Sequence, residues 1–428
     1  MSTTLESTLK RIEEHRLPDL DLGPEAIHPA YDGLSILNVP ASIANWLGAP
    51  GFPHPPIDHA EFDDLASSAR QVVVILVDAL GLNLFECWLE GRAKSLQPLV
   101  SRGALGALTS VVPSTTSAAL TTLWTGRSPA EHGILGYELF LREYGLVANM
   151  ITHAPASFEG EADSLVHAGF DPKSFLPVQT MGPHLSEAGV ESHAFLHSNI
   201  AGSGLSTMHY PEVNQHSFDE LSDLWTSLRQ LLDTASEKPR FIWSYFGNVD
   251  HLAHRHGPHD ERVEAEFAQF ADSLMAGFVD ALSPEARKDT VLILMADHGQ
   301  VATRKDPHLE LRNHPDLIRR LHMLPSGENR LAYLYPRPGQ ADAVEEYIAR
   351  TWPRMFRILG SDHALAAGLF GPGQPSKSAR SRIGDRVALS QGEGYLWWAA
   401  KENPLLGRHG SVTSEEMLVP FLMVRLDA

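Results

Sequence analysis

The chain has 428 residues, 43% of them hydrophobic and 20% charged, with a formal net charge of -19 at pH 7. That length permits a large buried core and two or three domains, whereas the acidic surplus opposes binding to a nucleic-acid polymer, whose phosphates would be repelled. One cysteine, Cys87, excludes an internal disulfide, and no run reaches membrane-spanning length.

Residues 1–68 open with an amphipathic stretch (Leu5, Leu9, Ile12), continue through a proline-rich region, and are expected to pack as an extension on the core. Charges at Glu6, Lys10, Arg11, Glu13 and Glu14 leave no apolar leader region, so a cytoplasmic protein is expected. The β-branched run VVVILV (72–77) reads as a buried strand closing on Asp78, with Asn83 shortly after it. In LFECWL, Cys87 is expected to pack as a small apolar residue. After Pro113 and Ser114, the segment TTSAALTTLW reads as a short helix stopped by Gly126 and Pro129. Thr116 then lies in its first turn, where free N–H groups and the helix dipole favour an alkoxide and a bound phosphate. Thr115, Thr116 and Ser117 equally suit a helix cap. The stretch 140–170 is a small candidate lid.

Two further apolar runs close on aspartates, FIWSYFGNV (241–249) on Asp250 and VLILMA (291–296) on Asp297. His254 follows Asp250 by one helical turn, which points both side chains the same way. His298 adjoins Asp297. Between His298 and His409, residues 311–384 read as a probable cap, with helices near 315–322 and 341–352 and a strand in RLAYLYP. Tyr395, Trp397 and Trp398 in GEGYLWWAA suit an alternating strand packed in the core, or a stack on a nucleobase. His409 lies in LLGRHGS, where the following glycine lets the chain turn and present the imidazole.

In open α/β sheets ligands bind beyond the carboxyl ends of the strands, so Asp78, Asp250 and Asp297 converge at one edge although distant in sequence. With Thr116, His254, His298 and His409 they describe a two-metal phosphoryl-transfer site. Carboxylate and imidazole ligands without thiolate suit zinc, with manganese and other divalent ions also open. Other polar residues invite milder readings. His132 suits a turn; His153, His256 and His259 are ordinary histidines or line the site; Arg127 and Arg408 are solvated or face a substrate phosphate.

The pieces ILVDALG, PSTTSAALTTLWTGRSPAEHGILGY, NVDHLAHRHGP, MADHGQ and GRHGSVTSEEMLVPFL, in that order, resemble the alkaline phosphatase superfamily and, within it, the type I phosphodiesterase/nucleotide pyrophosphatase family. The resemblance implies an α/β/α sandwich with a mostly parallel central sheet and a smaller inserted cap. It implies one metal held by Asp78, Asp297 and His298, with Thr116 as fourth ligand and nucleophile, and a second held by Asp250, His254 and His409. A phosphothreonine intermediate follows. Many relatives carry an asparagine three residues after the nucleophile, and Ala119 stands there in this chain. Asn83 or the Thr116 N–H is the candidate substitute for that phosphate donor.

The ligands span the chain, so one catalytic core is expected from residues 69–310 and 385–428. The expected substrate is a small phosphorylated molecule, a nucleotide among the options, with no nucleic-acid polymer and no membrane as partner. A phosphomonoesterase and a phosphonoacetate-type phosphonate hydrolase are the alternatives on the same core, followed by a non-catalytic metal-binding protein. A phosphomutase lacks its transferase domain in this chain, and Cys87 lacks a sulfatase setting.

Overall fold

The computed structural model describes residues 3–156 and 161–427; residues 157–160 of the expected lid and residues 1 and 2 of the extension lie outside them. The three apolar runs are neighbours in one sheet. Gln71–Val77 pairs in parallel with Arg240–Phe246 on one side and Thr290–Met295 on the other, with Val77 opposite Phe246 and Leu76 opposite Met295. The carboxyl ends are therefore level, which is what places Asp78, the segment from Gly247 and Asp297 along one edge.

Four more strands complete a seven-stranded sheet in the order Ala104–Thr109, Leu418–Arg425, Thr290–Met295, Gln71–Val77, Arg240–Phe246, Glu191–His197, Asn214–Phe218. Leu418–Arg425 runs antiparallel to both of its neighbours, Ala104–Thr109 and Thr290–Met295. Its arrival between Ala104–Thr109 and Thr290–Met295 ties the end of the chain into the core. Val72 to Val77 are all buried, as expected of strands covered on both faces. Alternate residues show the two layers. Phe241 and Trp243 pack against Trp124 of helix Thr116–Thr125, while Phe246 stacks on Phe270 of helix Glu261–Leu274 from the opposite face. The architecture is a mixed α/β sandwich around a mostly parallel sheet.

The run 241–249 is not one strand. It ends at Phe246, and Gly247 opens helix Asn248–His256, so Asp250 stands in a first helical turn rather than at a strand tip. The amphipathic start forms helix Thr3–Glu14, whose Thr8 hydroxyl accepts the Ala107 N–H of an edge strand at 2.9 Å.

A second, antiparallel sheet runs Phe356–Gly360, Arg386–Ser390, Leu331–Leu334, Ser326–Gly327, Glu138–Leu141, Leu146–Asn149, Ala154–Pro155. It unites strands from the 140–170 and 311–384 regions with one that follows them. The expected helices are found as Pro315–Ile318 and Ala341–Thr351. Tyr395 and Trp397 are buried, but they stand in irregular chain instead of the expected strand, because hydrogen bonds to loops hold them: the Tyr395 hydroxyl donates to the Arg304 carbonyl at 3.0 Å and accepts the Asp306 N–H at 2.9 Å. Cys87 is exposed, contrary to the apolar expectation, since helix Leu82–Glu90 turns Leu84, Phe85, Trp88 and Leu89 inward and leaves Cys87 on the outer side. Among the described residues no helix is long and apolar enough to cross a membrane.

Candidate metal and phosphoryl-transfer site

All seven residues expected at the centre meet at the carboxyl edge of the parallel sheet. The Thr116 hydroxyl, first residue of its helix, lies 3.4 Å from Asp78 Oδ2 and 3.1 Å from His298 Nε2. His298 Nε2 is 3.4 Å from Asp78 Oδ1 and 3.6 Å from Asp297 Oδ2. On the other side, Asp250 Oδ1 lies 3.3 Å from His254 Nε2 and 3.8 Å from His409 Nε2. The rings of His298 and His409 stack with centroids 4.0 Å apart, joining the halves. Two groups have ligand atoms close enough to share an ion, Asp78 with Asp297 and His298, and Asp250 with His298 and His409. His298 therefore stands between both, whereas the resemblance divided the ligands into two separate sets with His254 in the second. His254 remains adjacent, its Nε2 3.2 Å from that of His409.

Backbone carbonyls set the tautomers. His254 Nδ1 is 2.9 Å from the Gly407 carbonyl, His409 Nδ1 is 3.0 Å from that of Ser114, and His298 Nδ1 is 3.1 Å from that of Gly299. A carbonyl can only accept, so each Nδ1 carries the proton and each Nε2 turns a lone pair inward. Two such lone pairs at 3.2 Å, in His254 and His409, oppose each other unless a cation lies between them. The buried oxygens Asp78 Oδ1 and Asp297 Oδ2 have no hydrogen-bond partner. Burial, then the charge of Asp297 and Asp250, pushes the Asp78 carboxyl well above its usual range. Burial also raises Asp297. Burial lowers His409 well below an ordinary histidine, with His298 and His254 adding to the effect. Unpaired carboxylates and inward lone pairs in a buried site fit divalent cations, which relieve both costs.

Loop geometry delivers these side chains. The short antiparallel pair Val301–Ala302 with Gly407–Arg408 holds the segment after His298 against the segment before His409. The Asp297 carboxylate accepts the N–H groups of Ala79 at 3.2 Å and His298 at 3.0 Å, which clamps two strand ends together. Residues that sequence reasoning passed over complete the surround. The Tyr245 hydroxyl donates to Asp78 Oδ2 and the Gln300 amide donates to Asp250. Gln300 was within reach as the fourth residue of DHGQ. Tyr245 had only a weaker signal, a hydroxyl at the carboxyl end of a buried run. Arg330 and Glu416 form a fully buried pair at 2.7 and 2.9 Å, and Glu416 also accepts the Ser411 N–H two residues beyond His409. Glu328 is buried beside the Thr116 loop, and burial pushes its carboxyl up to about 8.

Asn83 is exposed, one residue into helix Leu82–Glu90. Ala119 is fully buried in the apolar core. His132 accepts the Ile134 N–H at 3.0 Å and shapes the turn before Tyr137. His153 is buried against Phe170, His256 faces Arg262, and His259 is exposed. Arg127 pairs with Glu131 at 3.4 Å. Arg408 is neither solvated nor turned to a substrate: it is 1% exposed and its guanidinium lies 3.8 Å over the Tyr395 ring.

Carboxylates and imidazoles gathered around a hydroxyl, on the binding edge of such a sheet, define a metal-dependent phosphoester hydrolase. The profile of the type I phosphodiesterase/nucleotide pyrophosphatase family matches residues 72–412. The chain belongs to that family of phosphoric ester hydrolases. Murine ectonucleotide pyrophosphatase/phosphodiesterase 5 shares the fold at 17% sequence identity and a TM-score of 0.61, over 82% of this chain and 87% of that one. An inactive variant of the murine protein, in complex with AMP, matches at 16% identity and a TM-score of 0.60 over the same shares, 82% and 87%. Phosphonoacetate hydrolase from Sinorhizobium meliloti 1021, in complex with phosphonoacetate, matches at 18% identity and a TM-score of 0.60, over 83% of this chain and 90% of that one. No curated protein matches the chain in sequence.

Proposed function

We propose that the protein is a phosphodiesterase of the nucleotide pyrophosphatase type, acting on small phosphorylated substrates through a phosphothreonine at Thr116. The observation that carries this reading is the Thr116 hydroxyl, set at the start of its helix 3.4 Å from Asp78 and 3.1 Å from His298. Asp78, Asp297 and His298 would hold one divalent ion and Asp250, His254 and His409 another, with zinc the best match to the donor set. When bound, such ions lower the pKa of the threonine hydroxyl and offset the charge of the phosphoryl group.

The Thr116 oxygen attacks phosphorus, a new O–P bond forms, and the ester bond to the leaving group breaks, with the leaving oxygen taking up a proton. Water then attacks the phosphothreonine and returns the threonine hydroxyl. First-turn N–H groups of the Thr116 helix offer donors to a phosphoryl oxygen where Ala119 supplies none. The second sheet is the cap whose loops set substrate choice, and the AMP-bound murine relative makes a nucleotide the first class to try.

The test is turnover of bis-p-nitrophenyl phosphate against p-nitrophenyl phosphate by zinc-loaded protein, with Thr116→Ala as blank. Faster diester cleavage, lost by on the order of 10³-fold or more in the variant, supports the reading. Faster monoester cleavage transfers the assignment to a phosphomonoesterase. Turnover of phosphonoacetate alone transfers it to a phosphonate hydrolase. Appreciable diester activity in Thr116→Ala removes the covalent mechanism.

A further inference from the structure

Gln300 follows His298 by two residues, yet its side chain reaches the other half of the centre. It is buried, and its amide Nε2 donates twice to Asp250, to the carboxylate Oδ1 and, at 3.2 Å, to the backbone carbonyl. An amide oxygen in that place would face two acceptors, so the end turned to Asp250 is the nitrogen. Asp250 Oδ1 is the same oxygen that lies 3.3 Å from His254 Nε2 and 3.8 Å from His409 Nε2.

The space for this amide comes from Gly407. A side chain there would begin 2.4 Å from Gln300 Oε1 and 2.3 Å from the Ala253 carbonyl oxygen, so glycine is what admits both. The Gly407 carbonyl accepts His254 Nδ1–H at 2.9 Å, and the Leu406 N–H donates to the His254 carbonyl at 2.8 Å. Gln300 is thus seated between the helix that carries Asp250 and His254 and the loop that leads to His409.

The two halves of the centre differ in what holds them. The side chains of Asp78, Asp297 and His298 are at most 3% exposed, so packing on all sides restricts them. Those of Asp250 and His254 are 18% and 26% exposed, and an orienting hydrogen bond has more to do there. Gln300 is also costly as a packing residue, because its Oε1 is buried without a partner.

We propose that Gln300 is a positioning residue for the metal centre: its amide fixes the Asp250 carboxylate so that Asp250, His254 and His409 hold the second ion. The inference rests on the reading that these three residues form that second set. Because the same segment carries Asp297 and His298, assembling one half of the centre delivers the clamp for the other.

The experiment titrates the metal-free full-length chain with zinc against a chromogenic chelator. It reads two dissociation constants, together with the Tm of the metal-free protein. Gln300→Met keeps the length of the side chain and removes the donor, and it is expected to weaken one ion by about 10–100-fold and leave the other unchanged. The metal-free Tm should not fall, because the substitution also removes the unpartnered buried acceptor. Asp250→Ala should weaken the same ion, and Gln300→Met should add nothing in that background, since its effect runs through Asp250. If Gln300→Met does not fold, Gln300→Leu is held to the same outcomes. Unchanged affinity for both ions, equal weakening of both with or without a lower Tm, or a further loss when Gln300→Met is added to Asp250→Ala overturns the proposal. A wild-type chain that binds a single ion, or an Asp250→Ala protein that binds two as tightly as wild type, removes the underlying reading first.

Discussion

At the residue scale the centre is defined by what surrounds each ligand atom. Asp78 receives the Tyr245 hydroxyl on Oδ2 and leaves Oδ1 without a protein partner, so one oxygen is oriented and the other is offered. Tyr245→Phe removes the orienting bond, and a loss of roughly 10–100-fold in activity with an unchanged Tm is expected, checked by diester kinetics and a melting curve. The carboxyls also set how metal binding couples to stability. Asp78 and Asp297 are both raised above an unfolded value of 3.8. A raised acid contributes stability that is fully present below pH 3.8 and lost as the pH rises through its folded value, because the unfolded chain gives up the proton more readily. A divalent ion held at the proposed site would reverse this by binding the deprotonated groups. Chelation should therefore lower Tm, and by more at pH 8 than at pH 5. Melting curves with and without chelator at the two pH values check this; equal shifts would mean these carboxyls do not hold the metal.

At the scale of elements, the candidate ligands depend on close contacts between loops. A side chain on Gly299 would begin 2.0 Å from the Glu415 carbonyl oxygen, so the loop after His298 packs directly on the turn before the last strand. Gly299→Ala should destabilise by roughly 1–3 kcal/mol, read as a lower denaturation midpoint, and reduce turnover by displacing His298. The Arg330–Glu416 pair has both side chains fully buried and connects the second sheet to the segment after His409. Arg330→Met strands the Glu416 carboxylate, and a loss of about 3–5 kcal/mol is expected in denaturant unfolding, with less loss when Glu416 is also made apolar. Neither partner stood out in the sequence. Arg330 opens an ordinary strand run and Glu416 resembles a capping-box residue, and only the fold places them face to face.

At the scale of the molecule, four histidines outside the centre report on the whole fold. Burial lowers His28, His153 and His193 from 6.5 to about 4, and His209 to about 3. A depressed histidine favours the native state above the unfolded value of 6.5. That contribution is lost as the pH falls from 6.5 through 4, since the unfolded chain takes up protons that the folded one refuses. Tm of the metal-free protein should fall over this range, and a flat profile between pH 6.5 and 4 would show these rings to be solvated. The net charge of -19 adds a general repulsion toward anionic polymers, so binding to long DNA should be absent at physiological salt while small phosphate esters are turned over.

Local pattern was enough for the parts of this protein whose physics is local. β-branched runs such as VVVILV become buried strands because a strand covered on both faces must be apolar throughout, and the edge beyond them collects ligands whatever the connecting segments do. For that reason the meeting of Asp78, Asp297, His298 and the Thr116 helix at one edge was legible from order and spacing. Other features depend on contacts between residues far apart in the chain, which periodicity does not record. Tertiary structure alone decided that the 241–249 run breaks at Gly247 into a helix, that Arg408 is buried under Tyr395, that Cys87 faces outward, and that Glu328 packs against Gly410. In each case the outcome turned on which side chain or backbone group from a distant segment filled the space beside the residue.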